Sequence, residues 1–428
     1  MSALLPLALA LLLLAPGRTA RRILGSREDD LALDLAAGLV VLHLLLLVTS
    51  LAGIPWRWLT PAVAACLLAL AWPRGVPVGP ARRRSRIGVG DLVAAGAVGF
   101  FATLTAGSWL TTPDYIYHWG AKARHFALAD GIDWYYLAAS HNWRIHPDYP
   151  NLWPEIAAIS ARLLGSSDSP VLLLWSPLLV GVLLLSARRT LDGGAHPYAQ
   201  PALAALALAL VGFAVGHEMA GAADWLIALA GALAVPALLA PRDLEGDARI
   251  AVAAALAASS KIEGVPFAAC LVATHLVGRG EGRFRLPSWQ SLVRIGLPIA
   301  AVVVPWLVQA WRLHLFRPTN AGGFDAARGA AIWPAVFQVA RLPAWQGLPF
   351  ALVLLPLGLF AARHRRLAVA LLAQLTFYLW VYYTGPVDTR FYVLSSLPRL
   401  LLHLIPAAAI GLATALPAAR SAADEVSA

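Results

Sequence analysis

Residues 30–52 read DLALDLAAGLVVLHLLLLVTSLA, an apolar stretch whose only ionisable residues after Asp30 are Asp34 and His43. A helix of about 20 apolar residues crosses the hydrocarbon core of a bilayer, so this stretch predicts a transmembrane span. Comparable apolar runs lie near residues 2–15, 59–73, 89–110, 169–187, 198–217, 222–240, 296–312, 346–362, 367–384 and 398–417. We therefore predict an all-α polytopic membrane protein with about 11–13 transmembrane helices.

The composition supports a membrane protein. The chain has 428 residues, of which 59% are apolar and 13% are charged, whereas soluble domains average roughly 45–50% apolar and about 25% charged residues. This excludes a water-soluble enzyme. The net charge of +10 comes from arginines in short loops, so it indicates topology and not the binding of nucleic acid. Both cysteines, Cys66 and Cys270, lie in apolar runs, where we expect them to be packing residues.

Arginine-rich loops identify the cytoplasmic side of the membrane, and they lie at residues 18–27, 82–86, 188–189, 279–294 and 363–366. The apolar run 248–277 is interrupted by SSKIEG, residues 259–264, and has a cytoplasmic loop on each side. We therefore predict that it is a hairpin of two short helices, whose tip faces a cavity in the outer half of the membrane. The long loops 111–168 and 313–345 are then extracytoplasmic, and the tail 418–428 is cytoplasmic.

The loop 111–168 opens with TTPDYIYHWGAKARHFALADG, residues 111–131. Thr112 suits the N-cap, Pro113 suits the first helical position and Gly131 suits the position after the C-cap, which predicts an amphipathic helix from about residue 113 to 129. The loop is also crowded with aromatic side chains. Such side chains stack on sugar rings, but they also collect at membrane interfaces; they are Trp119, Trp134, Tyr135, Tyr136, Trp143 and Tyr149.

Four polar residues share one face of the predicted helix, because they are spaced at helical intervals; they are Asp114, His118, Lys122 and His125. Lys122 is one of only two lysines in the chain, the other being Lys261. A carboxylate, an imidazole and an ammonium group on one face suggest a functional site. The alternative is an interfacial helix with a solvated polar stripe.

The same loop continues with HPDYP, residues 146–150, in which prolines restrict Asp148 and Tyr149 to extended conformations. This fixes the direction of the Asp148 carboxylate. The alternative is a rigid turn before a helix that opens near Trp153.

Three further polar clusters are expected on the outer side of the membrane. Each alone could be a set of loop charges or helix-end anchors, but ionisable groups near membrane depth are costly and usually functional. They are His217, Glu218 and Asp224; Lys261 and Glu263; and Asp388, Arg390, Arg399 and His403.

At these residues the chain resembles the bacterial membrane glycosyltransferases of the GT-C superfamily, close to family 39 and to the RgtA/B/C/D-like enzymes. The resemblance covers residues 89–417 as a catalytic domain and leaves the helices of residues 1–88 outside it. The matching segments are DYIYHWGAKA (114–123), HPDYP (146–150), AAD (222–224), SSKIEG (259–264) and SLPRLLLHLIP (396–406).

The resemblance implies an enzyme of the bacterial inner membrane that takes a sugar from a polyprenyl-phosphate donor at the outer face. The acceptor would be a hydroxyl group of a lipid, a glycan or a protein. The resemblance also implies that the acidic residue early in the first outer loop, Asp114, is the general base. Many relatives carry paired acidic residues there, whereas Tyr115 and Ile116 follow Asp114 here. A divalent metal is therefore not assigned.

Transfer from a phosphorylated sugar needs a base, cations near the departing phosphate and an apolar slot for the lipid. Asp114 is the candidate base, with Asp148 as its rival, and a single displacement would invert the anomeric carbon. The cations expected to bind the donor phosphate are Lys122, Lys261, Arg390 and Arg399. The residues expected to bind substrate are His118, Trp119, His146, Tyr149, Asp224, Glu263 and His403, and loop 313–345, with Arg317, Asp325 and Arg328, is a candidate acceptor lid.

Two other classes of protein fit the composition. A transporter or flippase of a lipid-linked sugar would place ionisable residues near the bilayer midplane and pair its broken helices in two halves. A membrane scaffold would need no lysines in polar clusters. The candidate residues are predicted at the outer ends of spans, and one broken segment is evident, so the sequence favours the enzyme.

Overall fold

The structure is a computed structural model that describes residues 2–58, 86–193, 196, 198–277, 287–316, 323–345, 347, 349–385 and 388–416. Four predictions fall outside these residues. They are the span 59–73, the packing role of Cys66, the position of Arg317 and the tail 418–428.

Helices make up most of the described chain, and no β-strand occurs in it; an isolated bridge joins Thr111 to Ala220. The chain is thus an all-α membrane protein that crosses the bilayer several times. Its helices of ten or more residues are Leu5–Ile23, Leu31–Leu51, Val89–Ala106, Gly120–Ala129, Leu152–Leu164, Trp175–Gly193, Ala199–Gly216, Asp224–Leu239, Leu244–Ser260, Gly264–Val277, Trp289–Arg312, Gly329–Ala340, Arg365–Thr384, Thr389–Leu402 and Ile405–Ala415.

Within the described residues, 6 segments are long and apolar enough to cross a membrane, and there are 7 if one bent pair of helices counts as a span. This is fewer than the 11–13 predicted, partly because some apolar runs form shorter helices, such as Asp224–Leu239 with 16 residues. The six segments are Leu31–Leu51, Val89–Ala106, Pro170–Asp192, Ala199–Gly216, Trp289–Arg312 and Arg365–Thr384.

The first helix, Leu5–Ile23, differs from the short apolar span predicted at 2–15. The helix includes the arginines that follow the apolar run. One of them, Arg21, is completely buried, and its Nε lies 2.7 Å from the Asp34 carboxylate. A buried arginine is tolerated because this carboxylate pairs with it. The close packing of the first two helices also depends on Gly17, where a Cβ atom would overlap the backbone carbonyl of Asp34.

Two predicted spans near the C-terminus are interrupted. The run 346–362 forms only the short helices Phe350–Val353 and Leu355–Gly358, because a proline such as Pro356 lacks the N–H that would continue the helix. The run 398–417 lies across two helices, Thr389–Leu402 and Ile405–Ala415, which are bent by 49°. Pro406 at the start of the second helix cannot bond back to the preceding turn, which accounts for this break.

The core of the bundle is formed by Asp224–Leu239 and Leu244–Ser260, which are buried along almost their whole length. Both are rich in alanine, so neighbouring helices approach closely. Lys261 is the C-cap of Leu244–Ser260. The next helix, Gly264–Val277, begins three residues after Lys261 and packs against Leu244–Ser260. The interruption at KIEG therefore separates two short packed helices.

The amphipathic helix of the first long loop begins with one π-helical turn, Tyr115–Trp119, and continues as Gly120–Ala129. Thr112 acts through its backbone, since its carbonyl accepts the N–H of Tyr115. The residue that ends the helix in a left-handed conformation is Asp130, with φ of 57°, one position before the predicted Gly131. Asp is among the residues that tolerate this conformation.

Candidate active site

Asp224 is the centre of the site. It is the first residue of Asp224–Leu239 and is completely buried, at the helix end that favours negative charge. One carboxylate oxygen, Oδ1, accepts hydrogen bonds from Lys261 Nζ at 3.1 Å and His403 Nε2 at 2.9 Å. The other, Oδ2, accepts from Arg399 Nη2 at 3.0 Å. Three donors from two separate segments, Lys261 after Leu244–Ser260 and Arg399 with His403 at the end of Thr389–Leu402, thus converge on one carboxylate.

Arg399 also binds Asp114, because the same Nη2 atom donates to Asp114 Oδ2. These two side chains are the more open part of the site, with 21% of the Asp114 side chain and 24% of the Arg399 side chain exposed. Asp114 directly precedes the π-helical turn, a feature that is frequent at functional sites. The ion pair between Asp114 and Arg399 is therefore partly exposed, as is Glu263, of whose side chain 22% is exposed.

The tip of the helical pair contributes Glu263 as well as Lys261. Glu263 Oε1 lies 3.7 Å from Lys261 Nζ and accepts a hydrogen bond of 3.2 Å from the hydroxyl of Tyr149. The Glu263 backbone carbonyl accepts from Gln374 Nε2 at 3.3 Å. The break between the two helices thus places both polar side chains of KIEG in the site. We define the ionic cluster as Asp114, Asp224, Lys261, Glu263, Arg399 and His403.

Tyr378 was not among the predicted site residues. Its hydroxyl lies 2.7 Å from His403 Nδ1, and it is buried. Since His403 Nε2 must carry a proton to donate to the Asp224 carboxylate, a neutral His403 accepts at Nδ1 from the tyrosine. A sequence signal was present, because Gln374, Tyr378 and Tyr382 are polar residues at intervals of four in an apolar helix.

A second group of predicted residues packs beside Tyr149. Lys122 Nζ donates to the carbonyl of His146 at 2.6 Å and lies 5.1 Å from the centre of the Trp119 ring. The rings of His118 and His146 are in edge contact, with centroids 4.8 Å apart. His146 and Trp119 both contact the ring of Tyr149, which joins this group to the ionic cluster through Glu263.

Burial controls the titration of this group. Burial lowers the pKa of Lys122 to about 7, and the nearby charge of Asp148 opposes the shift. Burial also lowers the pKa of His146 to about 4, together with the charges of His118 and Lys122. His146 is therefore neutral at neutral pH, whereas Lys122 titrates near neutrality.

Several predicted residues lie apart from the ionic cluster. Arg390 is exposed on Thr389–Leu402. His125 faces Asp133 at 3.4 Å and stacks on the ring of Tyr136. Asp148 is half-buried, and its charge reaches Lys122 and Tyr149.

The turn and loop residues fall elsewhere too. Glu218 is exposed, His217 packs on the ring of Phe213, and Asp388 caps Thr389–Leu402. In the predicted lid, Arg328 pairs with Asp325. Among the described contacts, none joins these residues to the ionic cluster, so their predicted functional roles have no support from its geometry.

In the described part of the chain, no three His, Cys, Asp or Glu side chains are grouped so that they could hold a metal ion. The two carboxylates that approach each other in the ionic cluster, Asp114 and Asp224, are bridged by Arg399. The positive group between these two carboxylates is therefore a guanidinium group.

Comparison of the sequence with protein-family models and curated proteins, and of the structure with solved structures, gives no match. The chemistry therefore has to be argued from the site itself. The site offers a reachable carboxylate, an arginine beside it, a buried carboxylate that anchors this arginine, and aromatic rings on one side. Such a set can hold an anionic group and receive a proton next to it.

Proposed function

We propose that this protein is a membrane glycosyltransferase that moves a sugar from a polyprenyl-phosphate donor to a hydroxyl group of a lipid, glycan or protein. The observation that carries the proposal is the reachable ion pair of Asp114 and Arg399, anchored on buried Asp224. A carboxylate next to an arginine provides a base beside a phosphate-binding group, which are the two functions that this transfer needs.

In the transfer step, the acceptor hydroxyl gives its proton to Asp114 while its oxygen bonds to the anomeric carbon of the sugar. The bond between this carbon and the phosphate oxygen breaks, and the electron pair leaves with the phosphate, whose charge Arg399 stabilises. One displacement inverts the anomeric carbon. Lys261 contributes indirectly, because it holds the Asp224 carboxylate that also binds Arg399.

The aromatic rings assigned to the sugar are those of Tyr149, His118 and His146, whereas Trp119 is buried and packs against the ring of Tyr149. These rings lie on the side of the cluster where Tyr149 binds Glu263. Lys122 is completely buried and donates a hydrogen bond to the carbonyl of His146. We therefore propose that it stabilises the conformation of this loop and does not contact the phosphate directly. The apolar faces of the spans would receive the polyprenyl chain.

The proposed location is the bacterial inner membrane, with the site on its extracytoplasmic face. The argument is the charge distribution: arginines of the described chain such as Arg21, Arg189 and Arg249 lie near the ends of helices remote from the cluster. The rule that positively charged loops remain in the cytoplasm supports an extracytoplasmic position for the other end.

The test is sugar transfer from a panel of radiolabelled polyprenyl-phosphate sugars by purified protein in detergent, with and without a chelator. Wild type is expected to react with one donor. Asp114→Asn keeps the side-chain volume but removes the base, so we expect a loss of about 100-fold or more. Glu218→Gln changes an exposed carboxylate outside the cluster and should retain wild-type activity.

Full activity of Asp114→Asn would remove Asp114 from the mechanism and make Asp148 the base to be tested. If no donor reacts but a donor still binds, the protein is better described as a transporter or flippase of a lipid-linked sugar. Transport across liposome membranes then measures that activity directly.

A further inference from the structure

We propose that the Asp114 carboxylate occupies the phosphate position in the ligand-free protein, so that donor binding displaces it from Arg399 and frees the base. The inference rests on the proposed function and adds an order of events to it. In the structure, one nitrogen, Arg399 Nη2, serves both Asp114 Oδ2 and Asp224 Oδ2. An anionic ligand that binds this nitrogen must compete with one of the two carboxylates.

The two carboxylates are not equally replaceable. Asp224 is completely buried and has Lys261 and His403 as further partners. Asp114 is partly exposed, and among the described side-chain contacts its carboxylate bonds to Arg399 alone. A buried carboxylate that loses a partner pays a large desolvation cost, whereas an exposed one can turn to water. The contact of Asp114 is therefore the one that yields.

Arg399 is incompletely satisfied in this state. Its Nε atom is buried and has no hydrogen-bond partner among the described residues. Nε and Nη2 of a guanidinium group point in parallel and bind two oxygens of one phosphate or carboxylate at once. Asp114 uses only Nη2, through one oxygen. A phosphate that engages both nitrogens would satisfy Nε as well, which is why it can displace Asp114.

Displacement couples donor binding to the release of the base. While Asp114 Oδ2 accepts a hydrogen bond from Arg399, the carboxylate is held where the phosphate would bind and not beside the anomeric carbon. Once the phosphate holds Arg399, the carboxylate is free beside the anomeric carbon that the donor brings. The acceptor is then activated only when the donor is in place, and water is not activated in the empty site.

The experiment measures binding of polyprenyl phosphate without a sugar, and of the uncharged polyprenol, to purified protein in detergent. Asp114→Asn removes the competing charge, so it should bind polyprenyl phosphate about three- to tenfold more tightly than wild type. Polyprenol should bind both proteins equally. Glu218→Gln removes an exposed carboxylate outside the cluster and should match wild type with both ligands.

Equal or weaker binding of polyprenyl phosphate by Asp114→Asn would overturn the displacement, although the proposed function would stand if wild type prefers the phosphate to polyprenol. No such preference in wild type would remove the proposed function itself. Thermal unfolding verifies that each variant is folded. If Asp114→Asn is not folded, Asp114→Ser removes the same charge and takes its place.

Discussion

Lys122 shows how strongly one residue can depend on its surroundings. Its side chain is completely buried, with the carbonyl of His146 at 2.6 Å and the carbonyl oxygen of the Asn151 side chain at 3.5 Å. Burial of an ammonium group disfavours its charged form. The sequence placed Lys122 on the polar face of a helix but could not reveal this burial, because the covering segment lies more than twenty residues further along the chain.

The lowered pKa of Lys122 predicts a pH dependence of stability. The pKa falls from 10.5 to about 7 in the folded chain, so between these values the unfolded chain holds more protons. The free energy of unfolding should therefore rise as the pH increases from about 7 towards 10.5. Thermal unfolding in detergent at a series of pH values measures this. Lys122→Met should lose the rise, while Arg124→Met, which removes an exposed cation of the same helix, should keep it.

Among the structural elements, the two helices around KIEG set the geometry of the ionic cluster. Gly264 begins the second helix, and a Cβ atom there would overlap the backbone carbonyl of Ala257 in the first. Gly264→Ala should therefore force the two helices apart, with a loss of about 1–3 kcal/mol in stability. Lys261 and Glu263 would move with the break between the helices. The variant should therefore lose sugar-transfer activity even at temperatures where it remains folded.

The control for this variant is Gly296→Ala on Trp289–Arg312, where a Cβ atom would meet no neighbouring atom. Alanine favours a helix over glycine by about 1 kcal/mol, so this variant should be neutral or slightly more stable. Thermal unfolding of both variants in the same detergent gives the comparison. Equal melting temperatures would show that the approach of the two helices does not depend on the glycine.

The elements also show how far the sequence determines the fold. Apolar runs predicted the helical class and most helix positions, because hydropathy and length decide them. They failed at 346–362, where prolines divide an apolar run, and they gave more spans than the six candidates found in the described residues. Apolarity alone cannot separate a helix that crosses the membrane from one buried inside the protein; Asp224–Leu239 is buried on all sides.

The sequence predicts single residues of the candidate site but not the contacts between them. Asp114, Asp224, Lys261 and Arg399 were recognised as rare charges in an apolar chain. Their pairing depends on helix packing between residues as far apart as 114 and 399, which one sequence does not encode in any local pattern. Tyr378 was missed because a tyrosine within a span is usually read as a packing residue.

At the scale of the whole molecule, two groups of ionic contacts lie at separate levels of the bundle. One is the ionic cluster. At the other, Asp30 pairs with Arg249 at 2.9 Å, and Asp247 contacts His275 at 2.9 Å and Arg294 at 3.4 Å. Buried ion pairs are costly unless their groups are matched, so each level restricts how the helices can be arranged. Within the span Leu31–Leu51, buried His43 also contacts buried Glu155, with 2.7 Å between Nδ1 and Oε2.

This arrangement predicts the orientation of the protein in the membrane. Trp289–Arg312 runs from the arginine-rich level to the first long loop, since Trp306 stacks on Trp134. Both ends can be labelled after Cys66 and Cys270 are replaced by serine. An impermeant maleimide should then modify His141→Cys, an exposed position in the first long loop, in right-side-out vesicles. Ser288→Cys, exposed before the start of the helix, should react only after the membrane is opened. The opposite pattern would place the ionic cluster at the cytoplasmic face, where the donor would have to be presented from inside the cell.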